Sequence, residues 1–189
     1  MSDLVPASRP PESHANFRRG QLLVLLAAFD TPMALDRIGY LEFFAANPHL
    51  VIRDEAESVR LQLAGFSPSA LSYQSAPERF ANRRSRLRTD LSALTAWGYA
   101  TVSVDEGRIV VGLTDTGRER SGELVSLYAD AYRSSIDLVR PLFRLSPTAL
   151  AKRASEWLSK SDRHLDILDV DLDTQLRFDL DGTPTEEQP

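Results

Sequence analysis

The 189-residue chain contains no cysteine. That excludes disulfides, thiolate zinc sites and cysteine-ligated iron–sulfur clusters, and it fits a reducing compartment. Histidine is nearly as scarce. His14, His49 and His164 fall in three separate segments, and none has a second histidine at metal-ligand spacing. The nine glycines are scattered over turns and helix ends. They build neither a Walker A loop nor a G-x-G-x-x-G or G-x-S-x-G turn. Neighbouring carboxylates such as Asp54 and Glu55 fall on stretches that read as surface. The chain is therefore expected to be no enzyme, with no cofactor and no bound metal. Long apolar runs are missing as well. The longest, Leu22 to Phe29, is far short of the roughly 20 residues that cross a bilayer. Met1 to Pro11 is polar and proline-rich, without the apolar region of a secretory leader. The expected location is the cytoplasm, with no membrane contact.

What is present is unevenly placed. The formal net charge is −5, yet Ser161 to Pro189 holds nine acids and two bases, which puts −7 on the tail. Residues 1–160 hold 20 bases and 18 acids, a near-neutral body with local basic clusters. The tail also alternates. Leu168, Val170, Leu172, Thr174, Leu176, Phe178 and Leu180 take the even positions, and acids take most of the odd ones. A period of two is the signature of a half-buried strand, so residues 168–180 form a candidate docking strand. Its partner is another chain's sheet, the chain's own hairpin, or the arginine-rich helix described below, which the acids would shield.

The rest of the pattern is helical around one hairpin. Residues 1–15 read as a disordered arm. Phe17, Leu22, Leu25, Leu26 and Phe29 predict a helix from Asn16 to Phe29, ended by Pro32. Leu35, Ile38, Leu41 and Phe44 predict a second from Leu35 to Ala46, ended by Asn47-Pro48, with Tyr40, Phe43 and Phe44 as core or partner aromatics. Glu55 to Leu63 fits a short helix. Ser75 and Glu78 form a capping box for a long helix carrying Phe80, Leu87, Leu91 and Leu94, closed by Trp97-Gly98. Ala100 to Asp105 and Arg108 to Thr114 flank a Glu106-Gly107 turn and read as a hairpin, the only strands expected before the tail. Thr114 to Gly117 caps a helix expected to continue from Arg118 to Phe143. Ser146-Pro147 starts a last one reaching Lys160, with Leu150, Ala154, Trp157 and Leu158 inward.

The junctions Leu91-x-x-Leu94 to Gly98-Tyr99 and Leu113-Thr114 to Gly117-Arg118, on either side of the hairpin, resemble those of bacterial winged-helix proteins. The implied fold is mainly α with a small β-hairpin. It comprises a winged helix-turn-helix domain over residues 16–122, C-terminal helices over 123–160 and the acidic tail over 161–189. In such a fold the helix bearing Arg79, Arg83, Arg84, Arg86 and Arg88 would face DNA, with Arg108 of the hairpin beside it. The same arginines suit an acidic protein partner. Arg86 can also pair within the helix with Asp90.

The stretches Gln21 to Asp30 and Leu35 to Pro48, with "LDRIGYLEFFAANP", resemble the middle components of ABC-three-component systems. The resemblance runs from about Gln21 to Gly117. It implies a small winged-helix accessory subunit of a coiled-coil ATPase of the SMC or Rad50 type, acting in bacterial defence against phage or plasmid DNA. The alternative is a DNA-binding transcriptional regulator, a homodimer through Arg118 to Lys160.

Overall fold

A computed structural model describes residues 11–52, 54–66 and 76–159. A short 3-10 turn, Pro11–Ser13, leads into α1 (Ala15–Ala27). Leu22 to Leu26 are all buried, so this helix is apolar around its circumference and must be packed on every side. It is: α1 lies at the centre, against α2 (Leu35–Ala46), α4 (Ala76–Ala96), α5 (Asp115–Gly122), α6 (Leu127–Val139) and the hairpin. α3 (Glu55–Leu63) is capped by Asp54, whose carboxylate accepts from Ala56 N at 3.1 Å, and it anchors through Leu61. A final helix, α7, covers residues 147–159 and turns Leu150, Ala154 and Trp157 inward. Phe43 and Phe44 of α2 are buried, and the Trp157 ring meets Phe44 edge-on at 5.1 Å. Among the described residues no helix is long and apolar enough to cross a membrane.

The hairpin follows α4 through a tight reversal. Gly98, at φ 74°, takes the left-handed position that ends the helix. Its N–H donates to Thr95 O, and that of Tyr99 to Leu94 O, each at 2.9 Å. β2 (Ala100–Asp105) then pairs antiparallel with β3 (Arg108–Leu113) across a turn in which Glu106 and Gly107 both have positive φ, 47° and 75°. Thr114 closes the hairpin. Its hydroxyl donates to Gly98 O at 2.7 Å and accepts from Gly117 N at 3.0 Å, so one side chain caps α5 and pins the reversal.

The structure corrects four expectations. A third strand exists: β1 (Met33–Ala34) pairs antiparallel with β3, giving the order β1-β3-β2. Two residues show no alternation, so β1 was invisible to a pattern reading; it forms because β3 presents an unpaired edge. The helix expected from Arg118 to Phe143 is three pieces. α5 stops at Gly122, and extended Ser126 (φ −167°) accepts from Ala129 N to start α6. Residues 140–144 form a 3-10 helix, since Pro141 lacks the N–H an α-helix would use there. The break rephases the chain so that Ala129, Tyr132, Ile136 and Val139 point inward. Next, Pro11–Ser13 is folded rather than part of a disordered arm: Arg18 donates to Glu12 O at 3.2 Å and Ser13 O at 3.0 Å. Finally, Asp90 pairs not with Arg86 but with Arg18 and Arg19 of α1, because its carboxylate faces the interior. Ser75, His164 and the strand positions Leu168, Val170, Leu172, Leu176, Phe178 and Leu180 lie outside the described residues.

Candidate interaction face of the arginine helix

α4 divides its arginines between interior and surface. Arg83 leans off the flank of the apolar stripe into the gap between α1 and α2, where its side chain is only 11% exposed. There Nε lies 2.6 Å from each oxygen of Glu42, and the outer nitrogen bonds both Glu42 and Gln21 Oε1. Gln21 in turn donates to the Tyr128 hydroxyl, and the Tyr132 hydroxyl donates to the Glu42 backbone carbonyl at 3.4 Å. This network joins α1, α2, α4 and α6. Burial alone would push the Arg83 guanidinium down; the carboxylate and its hydrogen bonds outweigh this and hold it above the ordinary arginine value. Burial pushes the Tyr128 hydroxyl up to about 12 and the Tyr132 hydroxyl well above its usual range. Arg83 therefore presents no free guanidinium to an incoming partner.

A second charged contact sits further along α4. Asp90, 2% exposed, accepts from Arg18 Nε at 2.7 Å and Arg19 Nε at 3.2 Å. Arg19 also lies over the half-exposed Trp97 ring at 4.9 Å from its centre. From the sequence alone Glu42 has no expected role and Asp90 is offered only to Arg86, yet each carboxylate leaves a signal of burial. Glu42 follows Ile38 by four residues and precedes Ala45 by three. Asp90 follows Leu87 by three residues and precedes Leu94 by four. An acid in phase with an apolar stripe is buried, and a buried acid needs a cation.

The remaining arginines stay on the surface. Arg79 meets Glu12 at 3.7 Å, and Arg84 meets Asp36 at 2.6 Å while lying over Tyr40. Tyr40 stacks on Phe80 at 5.3 Å. Arg86 and Arg88 are exposed and have no ion-pair partner among the described residues. A groove of about 350 Å³ runs between the Pro11–Ser13 turn and α4; Glu12, Arg79, Asn82 and Arg86 line it, with Phe43 and Arg83 at its base. Arg108 is not part of that groove. It lies exposed at the hairpin tip; burial, and secondarily the charge of Arg108, lowers the pKa of Arg37 on α2. Thus Arg79 and Arg86 line one groove with Arg83 at its base, Arg84 sits apart from it beside Asp36 and Tyr40 of α2, and Arg108 belongs to the hairpin.

Of the histidines, His49 contacts Phe66 O at 3.2 Å and His14 occupies the position before α1. Among the described residues no three acidic or histidine side chains gather as a metal site. A separate apolar surface lies where α5 gives way to α6: Val125 and Leu127 are 82% and 92% exposed, next to half-exposed Tyr128. Comparison with known proteins finds no matching family, no matching curated relative and no matching solved structure.

Proposed function

We propose that the chain is a non-catalytic winged-helix subunit that acts through protein contacts. In this reading it is the accessory member of an SMC-like ATPase complex in bacterial defence against phage or plasmid DNA. The helix order, the long α4 with the hairpin that follows it, and the third strand supplied by β1 are compatible with a winged-helix arrangement. The observation that carries the functional reading is the disposition of the arginines on α4. Arg83 is committed to the interior, and Arg79 and Arg84 are paired with carboxylates, which among the described residues leaves Arg86 and Arg88 of α4 for an anionic partner. An autonomous DNA binder needs more. Neutralising Z phosphates gives a log–log salt slope near −0.9Z, and strong binders make about six to ten such contacts. Arg86, Arg88 and Arg108 together support a slope of roughly −3.

The exposure of Arg86 and Arg88 keeps a second reading in play, a dimeric DNA-binding regulator. Purifying the tagged chain from its native host separates the two. Stoichiometric recovery of a large coiled-coil ATPase is the expected result. Recovery of a homodimer carrying a discrete duplex, bound with a steep salt dependence, would overturn it.

A further inference from the structure

The sheet face that seals the core continues past it. Ala100 pairs with Leu113, Val102 with Val111 and Val104 with Ile109, so these six side chains share one face. Ala100 and Val111 are buried beneath α1 and its neighbours. Val102, Val104 and Ile109 are 52%, 72% and 53% exposed.

Among the described residues β2 is also an open edge. Thr114 N donates to Tyr99 O in register with the ladder, which makes Thr101–Gly112, Ser103–Val110 and Asp105–Arg108 the hydrogen-bonded pairs. The backbone N–H and C=O of Val102 and Val104 therefore point outward, away from β3. Proteins blunt such edges with lysine, proline or a bulge. From Ala100 to Val104 the strand has none of these, and its register is unbroken. The opposite edge of the sheet, β1, is only two residues long.

We propose that the β2 edge is the docking site of the chain's own segment 168–180. The segment has the pattern that such an edge selects. Paired alongside β2 with its even positions on the Val102–Val104 face, it places Leu172, Leu176 and their apolar neighbours beside exposed valines. The acidic odd positions then fall on the face of Thr101 and Ser103, which carries no carboxylate before Asp105. Pairing β2 with a second copy of itself would bury the same valines but leave the alternating segment without a strand partner. Residues 160–167 connect α7 to the segment and can span roughly 28 Å when extended.

Amide exchange on the full-length chain tests this directly, because neighbouring β2 amides report different bonds. The amides of Thr101 and Ser103 bond β3, whereas those of Val102 and Val104 are slow only if something pairs the outer edge. Expected is protection of Val102 and Val104 by at least about tenfold over free amides. Leu172→Pro combined with Leu176→Pro should abolish it while Thr101 and Ser103 remain slow, which shows that the hairpin is intact. Free exchange at Val102 and Val104 in the unaltered chain would overturn the proposal. So would protection that survives the two prolines, which would assign the edge to a different strand, or protection that vanishes on dilution from dimer to monomer, which would assign it to a second copy.

Discussion

Replacing Glu42 with glutamine keeps the shape of the side chain and deletes its charge, so Arg83 is left charged in a site built for an ion pair. The structure sets the size of the effect. The two side chains are 5% and 11% exposed, and both carboxylate oxygens sit 2.6 Å from Arg83 Nε. With charge centres near 4 Å and an effective dielectric of 20, the lost attraction is about 4 kcal/mol. That agrees with the roughly 3–5 kcal/mol seen when one member of a buried pair is removed. In urea, a slope of about 2 kcal/mol/M would turn this into a midpoint lower by about 2 M. Replacing both partners, Glu42→Leu with Arg83→Met, removes the stranded charge along with its partner. It should recover all but about 1–2 kcal/mol, the remainder reflecting Gln21 Oε1 without its donor. Urea unfolding of the wild type, Glu42→Leu, Arg83→Met and the variant carrying both closes the cycle. A Glu42→Gln midpoint shift under about 0.5 M, or a double variant no better than Glu42→Leu alone, would refute the claim that this pair is desolvated and coupled.

Three further outcomes follow from local geometry. Gly117→Ala would set a Cβ 2.0 Å from the Tyr99 carbonyl oxygen, which itself accepts from Thr114 N. The helix must back away, at a cost of about 2–3 kcal/mol readable in a thermal melt. Glu106→Asn should stabilise by about 0.5–1 kcal/mol in the same assay, since asparagine accepts the left-handed φ of 47° more readily than glutamate. Tyr128 and Tyr132 both have folded pKa values raised by burial, so folding favours their neutral forms. Their contribution is complete below the ordinary tyrosine value near 10 and is lost as pH rises through the folded values, about 12 for Tyr128. Urea midpoints across alkaline pH should fall less steeply in Tyr132→Phe than in the unaltered chain; an unchanged slope would contradict the assignment.

Local punctuation made much of the fold readable. α2 runs from Leu35 to Ala46 as its apolar spacing and Asn47-Pro48 require, and Gly98, Gly107 and Thr114 sit at the turns and caps their chemistry suits. What escaped was set by contacts distant in sequence. β1 exists only through β3. The break at residues 123–126 is marked by nothing stronger than Gly122 and Ser126, while the surrounding apolar residues mimic one long stripe. The candidate face was half legible. The arginine cluster is plain in the sequence, but the inward turn of Arg83 depends on Glu42, 41 residues earlier, and on the spacing between α1 and α2.

The central position of α1 has a consequence during synthesis. Leu22 to Leu26 leave the ribosome early, yet the helices that cover them end at Val139, roughly 110 residues later. At about 5–20 residues per second, this greasy segment waits about 6–20 s before its last neighbour arrives. For that interval the nascent chain carries a ready substrate for a holding chaperone, and slowing translation between codons 30 and 139 should raise the fraction that aggregates.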